Sequence, residues 1–318
     1  MSFSREVKEE ILRLDMETEC CKISEFIAIV RNSADLVLRE NVINILIQTK
    51  NALVARKIFE LIKDIYMLPT PIEIKKGSRN SSLYTLKIDN QNVVSDILKR
   101  SNIKCKIKDN SLLVRYSGIS KEIKNSKCCQ RSYIRGVFLV NGSINTPQKN
   151  YHLEIVNTNY MLALENNEML SKYGLFPKII ERNGNYIIYL KDGENIADFL
   201  NIIKAHKALM KLENIRVIKE VRNNVNRIIN CETANLEKTV NTAIRQVEDI
   251  KYIENTVGIK SLPKNLQEIA YIRLENKDLP LKDLGLKLNP ILGKSGVNHR
   301  LKKIESIAAN LRKNQNQV

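Results

Sequence analysis

The chain has 318 residues, enough for two or three domains, and its 52 lysine and arginine residues against 35 aspartate and glutamate residues give a formal net charge of +17. With 43% hydrophobic residues it can bury real cores, which excludes a wholly disordered protein. No apolar run approaches the ~18 residues of a membrane-spanning helix, and the charged start lacks the apolar core of a signal peptide. We expect a cytoplasmic protein with no membrane contact and an acidic partner, nucleic acid being the leading class.

The six cysteines indicate an internal repeat. They show no C-x-x-C spacing and only three histidines accompany them, so neither a zinc site nor a disulfide framework is expected, and no metal or other cofactor is predicted. Two adjacent pairs, Cys20-Cys21 and Cys128-Cys129, stand 108 residues apart. At that offset residues 20–36 align with residues 128–144. The cysteine pairs coincide, and apolar character is kept at several other positions of the alignment.

The segments that follow each copy repeat the same order of elements. Alternation and helical spacing predict an αββαββα unit twice, in an α+β domain with a pseudo-two-fold axis. The first copy is followed by strand-like 35–50, helix 51–66, strands 71–76 and 82–89, and helix 92–101. The second is followed by strand 151–157, helix 160–173, strands 177–181 and 186–191, and helix 194–205. At the equivalent positions Ala28 and Gly136, small residues would let the first helices of the two copies cross with their backbones nearly touching.

The second of these helices resembles a known motif. Ile134-Arg135-Gly136-Val137-Phe138-Leu139-Val140-Asn141-Gly142 is similar to the LAGLIDADG helix of homing endonucleases, which use the αββαββα fold. The resemblance implies two such helices packed at the domain centre, each with an acidic residue at the penultimate motif position that holds metal ions for DNA cleavage. Those positions are Ser33 and Asn141 here, and neither is a carboxylate.

The loss of both carboxylates argues against catalysis, because Asn and Ser offer only neutral dipoles to a divalent ion. Asp35, close to the first motif position, is expected to be a turn or cap residue. We therefore interpret residues 1–215 as a degenerate, non-cleaving relative of the endonuclease domain, with no catalytic residues. Its net charge of +9 leaves three roles open: binding DNA through its sheets, binding a protein, or a structural role.

Residues 216–258 are predicted to be a helical linker. Helical spacing runs from Ala208 to Ile229 across a basic, asparagine-rich junction at 222–227. A second long helix is expected from about Glu232 to Val257, with Asn230 as its cap and Gly258 as its end.

Residues 259–318 are predicted to form a helix-turn-helix domain. Pro263 marks a helix start, a short helix follows at 281–288, and a basic helix with an apolar stripe follows at 294–310. Residues 282–313 hold eight basic residues against two acidic ones. Three helices, the middle one short and the last basic, are typical of this DNA-binding motif.

The helical geometry selects candidate DNA contacts. At 100° per residue from Val297, Ser295 and His299 fall on the outer face and Asn298 lies beside them, so these three are expected to reach base edges. Basic residues on the same helix are expected to contact phosphates, and two further lysines of the basic segment join the candidate set. These basic residues are Lys282, Lys287, Lys294, Arg300, Lys302 and Lys303.

Taken end to end, the chain resembles the WhiA family of bacterial sporulation and cell-division regulators. The carrying segments are residues 128–155, residues 226–235 and residues 294–301 with Asp283-Leu284-Gly285. The resemblance implies a transcription factor that binds double-stranded DNA at promoter regions, is not an enzyme and associates with the nucleoid, with roles in sporulation, cell division or chromosome segregation. Two alternatives stay open: an assembly factor whose N-terminal domain recruits a regulatory protein, and an active endonuclease.

Overall fold

The computed structural model describes residues 2–15, 18–77, 82–108 and 111–315, and it divides into two compact units, Met1–Lys219 and Glu220–Val318. Each unit has its own hydrophobic core. Within the described ranges, no helix is both long and apolar enough to span a membrane. Residues 316–318, at the end of the predicted DNA-binding domain, lie outside the described residues.

The first unit is a mixed helix and strand domain. Its helices are α1 Phe3–Leu12, α2 Glu19–Ser33, α3 Ala52–Tyr66, α4 Gln91–Arg100, α5 Lys121–Asn125, α6 Lys127–Asn141, α7 Tyr160–Ser171 and α8 Gly193–Ile202. Its strands are β1 Ala34–Arg39, β2 Val42–Thr49, β3 Ile72–Lys76, β4 Ser82–Ile88, β5 Ile103–Lys108, β6 Ser111–Tyr116, β7 Gly142–Ile144, β8 Leu153–Asn157, β9 Lys178–Arg182 and β10 Asn185–Leu190.

Two antiparallel four-stranded sheets confirm the predicted duplication. Their strand orders, β1-β2-β4-β3 and β7-β8-β10-β9, are the same arrangement in each copy. The offset of 108 residues holds in the core, because Ile45 and Ile47 of the first copy and Leu153 and Ile155 of the second are all buried. It also holds at helix starts. Asn51 and its counterpart Asn159 accept backbone hydrogen bonds at the N-termini of α3 and α7.

The two central helices, α2 and α6, cross where Ala28 and Gly136 were predicted to meet. A Cβ atom built on Gly136 would lie 2.5 Å from the carbonyl oxygen of Glu25 and 2.8 Å from the Cβ of Ala28. Both distances are shorter than van der Waals contact, so only glycine fits at this point. The close approach buries Phe26 and Phe138 in one shared core.

The structure adds elements that the sequence pattern did not separate. Residues 35–50, predicted as one strand-like stretch, form a hairpin of β1 and β2 around Glu40 and Asn41, which both have positive φ. This two-residue turn contains neither glycine nor proline, and the alternation continues across it. Asp35 lies within β1, so its predicted turn or cap role is wrong. Helix α1 and the β5–β6 hairpin were also not predicted.

A single helix, α9 His206–Thr256, replaces the two helices predicted on either side of Asn230. The predicted cap at Asn230 is wrong, because it lies inside the helix. No glycine or proline interrupts the 51 residues, so the backbone ladder continues through the asparagine-rich junction. Along part of this helix apolar side chains are exposed: Val217, Ile218, Val221, Val225, Ile228, Ile229, Leu236, Val240 and Ile244.

The second unit is helical. After α9 ends at Thr256, with Gly258 at φ 79° as predicted for a helix stop, a short 3-10 turn leads into α10 Lys264–Glu275. Helices α11 Leu281–Leu286 and α12 Lys294–Gln315 follow. One core joins the last turns of α9 to these three helices through its buried residues Ile250, Ile253, Ile259, Leu262, Leu266, Ile269, Ala270, Leu284, Leu288, Val297, Leu301, Ile304 and Ala308.

Candidate nucleic-acid interface

Helix α12 has one buried and one exposed face. Val297, Leu301 and Ile304 are each at most 1% exposed and fix the helix on the core of the second unit. Residues at the opposite angular positions therefore face solvent. The buried stripe is the one predicted from the spacing of apolar residues, so the orientation of the basic face follows directly from the sequence.

The connection between α11 and α12 depends on Gly285. A Cβ atom at this position would lie 2.0 Å from the carbonyl oxygen of Leu292, while the Leu292 amide donates to the Gly285 carbonyl over 3.1 Å. The turn is further attached to α10, because the amide of Asn289 donates to the Glu268 carboxylate over 2.9 Å. These contacts hold the start of α12 against the two preceding helices.

Most predicted contact residues are accessible. Asn298 and Arg300 are half-buried, and the exposed ones are Lys282, Lys287, Lys294, Ser295, His299, Lys302 and Lys303. No ion pair between described residues involves any of these lysines. Their charge is consequently available to an external anion.

Arg300 has an internal contact that the sequence did not predict. It lies about 60° from the centre of the buried face at 100° per residue, and its Nη1 donates to the backbone oxygen of Asn265 over 3.2 Å. Arg312, nearer the end of α12, pairs with Asp249 at 2.6 Å. These two arginines hold α12 to neighbouring helices, whereas the lysines extend into solvent.

Arg273 is a structural residue that sequence reasoning missed. It is 1% exposed, and its Nε and Nη2 donate to Gln246 Oε1 over 3.1 and 2.9 Å, while its Nη1 donates to the backbone oxygen of Leu279 over 2.6 Å. Burial lowers the pKa of its guanidinium below the ordinary value. The available signal was its position on the same stripe as Ile269 and Ala270. The contacts connect α9, α10 and the segment before α11.

Asn141, the candidate motif position at the end of α6, lies in an amide network. Asn141 Nδ2 donates to the backbone oxygen of Asn32 over 2.9 Å, and Asn166 donates to the Asn32 side chain over 2.8 Å. Ser33 Oγ donates to its own helix, at Ile29 O. Among the residues that the structure describes, no group of three carboxylates, histidines or thiols that could hold a metal lies at this point.

One buried and one half-buried carboxylate near the central helices are paired with arginines. Arg135 pairs with Glu25 at 2.5 Å, and Arg31 pairs with Glu165 at 2.5 Å. The guanidinium of Arg31 also contacts the backbone oxygen of Ser101 and lies 5.7 Å from the centre of the Tyr116 ring. Because each carboxylate faces a guanidinium, its charge is compensated within the protein and it does not offer a free site for a cation.

Four of the six cysteines meet, although the two adjacent pairs stand 108 residues apart in the sequence. Cys20 and Cys21 lie in the first turn of α2, Cys128 and Cys129 lie in the first turn of α6, and the four Sγ atoms all lie within 4.8 Å of one another. The sequence expectation of no zinc site depended on local C-x-x-C spacing. It did not consider two adjacent pairs that the duplication brings together.

Comparison with known protein families covers most of the chain. Residues 19–104 match the WhiA N-terminal LAGLIDADG-like domain, residues 130–222 the WhiA LAGLIDADG-like domain, and residues 225–308 the WhiA C-terminal HTH domain. Helices α10 and α11 and most of α12 therefore lie in a helix-turn-helix domain, and the duplicated unit is LAGLIDADG-like, as predicted.

Whole-chain relatives agree. A protein of Alkaliphilus metalliredigens is 44% identical over 97% of this chain and 98% of its own length, and one of Clostridium tetani is 45% identical over 99% of this chain and 100% of its own. Both are named "Probable cell division protein WhiA". The crystal structure of full-length DUF199/WhiA from Thermatoga maritima aligns over 98% of this chain and 99% of its own, with a TM-score of 0.58 and 26% identity. The chain belongs to the WhiA family.

Proposed function

We propose that this protein is a sequence-specific DNA-binding transcriptional regulator without nuclease activity, acting in the cytoplasm at the nucleoid on cell division, sporulation or chromosome segregation. The observation that carries the proposal is the exposed basic face of α12 in a helix-turn-helix domain. The names of the relatives support a role in division.

The proposed contacts divide by chemistry. The start of α12 enters the major groove, where Ser295, Asn298 and His299 read base edges, and an asparagine amide matches the paired donor and acceptor of adenine. Phosphates are contacted by the exposed lysines around them, which fix the position of the helix but carry no sequence information. These lysines are Lys282, Lys287, Lys294, Lys302 and Lys303. Arg300 adds charge to this face while remaining attached to Asn265.

The absence of nuclease activity is supported by the first unit. Cleavage assisted by divalent ions needs anionic ligands beside the scissile phosphate. The motif positions hold Ser33 and Asn141, whose side chains are engaged in hydrogen bonds to backbone oxygens. Incubation of the protein with bound promoter DNA and Mg²⁺ is expected to leave both strands intact, and specific nicks would contradict this part of the proposal.

The decisive experiment is charge reversal on α12. We expect the double variant Lys302→Glu/Lys303→Glu to weaken binding to promoter fragments at least about 100-fold, because two phosphate attractions become repulsions. Wild-type binding should fall with salt by a log-log slope of about −0.9 per phosphate neutralised, and the variant slope should be shallower by about 2. Both are measured by gel shift over a series of salt concentrations.

The matched control reverses two exposed lysines of the same unit outside the basic segment, as Lys251→Glu/Lys260→Glu. It changes the net charge by the same amount, so it is expected to retain most of the affinity. An equal loss of DNA affinity in both variants would show that overall charge, and not the position of the lysines on α12, causes the effect. Undiminished binding by the α12 variant would exclude this helix as the interface.

A further inference from the structure

The four cysteines at the N-termini of α2 and α6 form a site of their own. Each helix contributes an adjacent pair in its first turn, Cys20 and Cys21 from α2 and Cys128 and Cys129 from α6. Cys21 is half-buried and Cys129 buried, while the other two are exposed, so the cluster lies at the surface with one side covered. We propose that these four thiolates bind one tetrahedral Zn²⁺ ion.

The sulfur positions match the size of a single ion. Zn–S bonds of about 2.3 Å in a tetrahedron place neighbouring sulfur atoms about 3.8 Å apart. The Sγ atoms of Cys128 and Cys129 are 3.9 Å apart, and no pair of the four exceeds 4.8 Å. The upper limit is about 1 Å longer than the separation in a tetrahedral site, so the four sulfur atoms are close enough for one ion to bind them all. Four soft thiolate ligands in this geometry favour Zn²⁺ over the hard cations Mg²⁺ and Ca²⁺.

The surroundings favour thiolates. Both pairs lie in the first turn of a 15-residue helix, where the helix dipole stabilises negative charge. The pseudo-two-fold axis also repeats a hydroxyl two residues before each pair. Cys20 Sγ is 3.4 Å from Thr18 Oγ1, and Cys128 Sγ is 3.1 Å from Ser126 Oγ.

The cysteines differ in their readiness to ionise. The hydrogen bond with Ser126 lowers the pKa of the Cys128 thiol to about 7, whereas burial raises the pKa of Cys21 and Cys129 above the ordinary value. Zn²⁺ must therefore displace protons from the less acidic thiols, and these protons go to solvent. Four bound thiolates leave a net charge of −2 on the complex. The groove beside Cys21 and Cys128 is lined by Lys127, Arg131 and Lys204, which offset this charge, and by one acidic residue, Asp15. Arg135 also lines the groove, but its charge is paired with Glu25.

The proposed ion would join the two repeats at one end of their central helix pair. Ser33 and Asn141 lie at the opposite ends of α2 and α6, about 20 Å away at 1.5 Å per residue. Between them, contact at Gly136 fixes the helix crossing. A zinc ion bound at the N-termini of α2 and α6 would therefore hold the two repeats together at one end of the helix pair. The amide hydrogen bonds of Asn141 hold them together at the other end.

The test uses the full chain, purified with reductant and without chelator. We expect elemental analysis to find about one zinc per chain, and Co²⁺ added to the stripped protein to give the intense visible and thiolate charge-transfer bands of a tetrahedral thiolate site, which Zn²⁺ then abolishes. The variant Cys20→Ser/Cys128→Ser changes two exposed side chains and is expected to fold but to lose these bands. Zinc should raise the unfolding temperature of the wild type and not that of this variant.

Cys105→Ser/Cys231→Ser is the matched control, because it also removes two thiols but leaves the cluster intact. It should keep the zinc content, the cobalt bands and the thermal shift. The proposal is overturned if wild-type protein binds neither ion, if the cluster variant binds them as well as the control does, or if thiol counting shows that the four cysteines form disulfides and exclude metal.

Discussion

Gly136 has only a hydrogen atom at the point where the two central helices touch. We predict that Gly136→Ala destabilises the first unit by about 3 kcal/mol, because the added Cβ would lie 2.5 Å from the backbone oxygen of Glu25, which cannot move without shifting α2. Chemical denaturation followed by circular dichroism measures the loss. Adding Ala28→Gly should restore only part of it, since the clash with the backbone oxygen persists.

Gly193→Ala provides the matched control in the same unit. A Cβ there would meet no atom closer than 3.4 Å, the nearest belonging to Tyr151, and the residue opens helix α8. Its stability should stay within about 1 kcal/mol of the wild type. If the two alanine substitutions had the same effect, the close helix crossing would not be the reason for glycine at position 136.

Asn141 stands where the resemblance to the LAGLIDADG motif implies a carboxylate. Its Nδ2 donates to the backbone oxygen of Asn32, so we predict that Asn141→Asp costs about 1–3 kcal/mol, because a carboxylate can only accept and would face another acceptor. The loss should shrink in acid, where the protonated side chain can donate again. Denaturation midpoints between pH 7 and about pH 4 measure this dependence.

The control for this substitution is Asn150→Asp. The Asn150 side chain is exposed and accepts a hydrogen bond from Asn145 through Oδ1, a role that a carboxylate preserves. It is expected to be nearly neutral at every pH tested. A penalty at Asn141 that is no larger than at Asn150 would show that the amide network contributes nothing to the helix pair.

Single residues also show where sequence reasoning succeeds. The close helix crossing at Gly136 was predictable because its counterpart Ala28 is also small. A small residue at the same position in both repeats is stronger evidence for a crossing than one glycine alone. The meeting of Cys20 with Cys128 was not predictable from metal-site spacing rules, which describe ligands within one loop. Arg273 was missed because a lone arginine among apolar residues gives no hint of the polar atoms that will surround it.

At the scale of elements, helix α9 begins with a cap supplied from far away in the sequence. The carboxylate of Glu10 in α1 accepts hydrogen bonds from the backbone amides of Lys207 at 2.7 Å and Ala208 at 2.9 Å. We predict that Glu10→Ala destabilises the first unit by about 1 kcal/mol, because two amides at the helix start lose their acceptor and the dipole loses a counter-charge. Thermal unfolding is the measurement.

Glu9→Ala tests whether this cost is specific to the cap. Glu9 pairs with Arg5, whose side chain is 62% exposed, and such surface pairs contribute at most about 0.5–1 kcal/mol. The neighbouring substitution should therefore be milder. The cap would be dispensable if both variants unfolded at the same temperature.

Helices and strands were predictable where the spacing of apolar residues and the positions of proline or glycine indicate the same element boundaries. Helix α12 was assigned to its correct face because Val297, Leu301 and Ile304 follow helical spacing after a proline-containing turn. The hairpin at Glu40 and Asn41 was missed because its turn lacks the usual residues and the strand alternation runs through it. The extent of α9 was missed because asparagines are read as helix ends, although inside a helix they cost only tenths of a kcal/mol each.

At the scale of the whole molecule, charge does not decide which unit binds DNA. Residues 1–219 contain 35 basic against 24 acidic residues, a net +11, and residues 220–318 contain 17 against 11, a net +6. The smaller charge lies in the unit with the helix-turn-helix domain, where the exposed lysines of α12 follow one face. The distribution of charge, and not its total, supports DNA binding there.

The two separate cores allow a test within the full chain. Ile29 is buried in the first core and Ile304 in the second. We predict two unfolding transitions in calorimetry, one for each unit. Ile29→Ala should lower the temperature of one transition and Ile304→Ala that of the other. Each substitution should reduce the free energy of unfolding of its unit by about 2–5 kcal/mol, because it leaves a cavity in only one core. The two variants thereby assign each transition to its unit.

Adding promoter DNA to the wild type then identifies the binding unit. A ligand stabilises only the folded unit that binds it, by about 2.7 kcal/mol at a free concentration 100 times Kd. We expect the transition assigned through Ile304 to rise and the one assigned through Ile29 to stay. A DNA of equal length without the binding site is the control, and it should produce a much smaller shift at the same salt concentration. A rise confined to the Ile29 transition would instead place the interface on the LAGLIDADG-like sheets, and a rise in both would show that each unit contacts DNA.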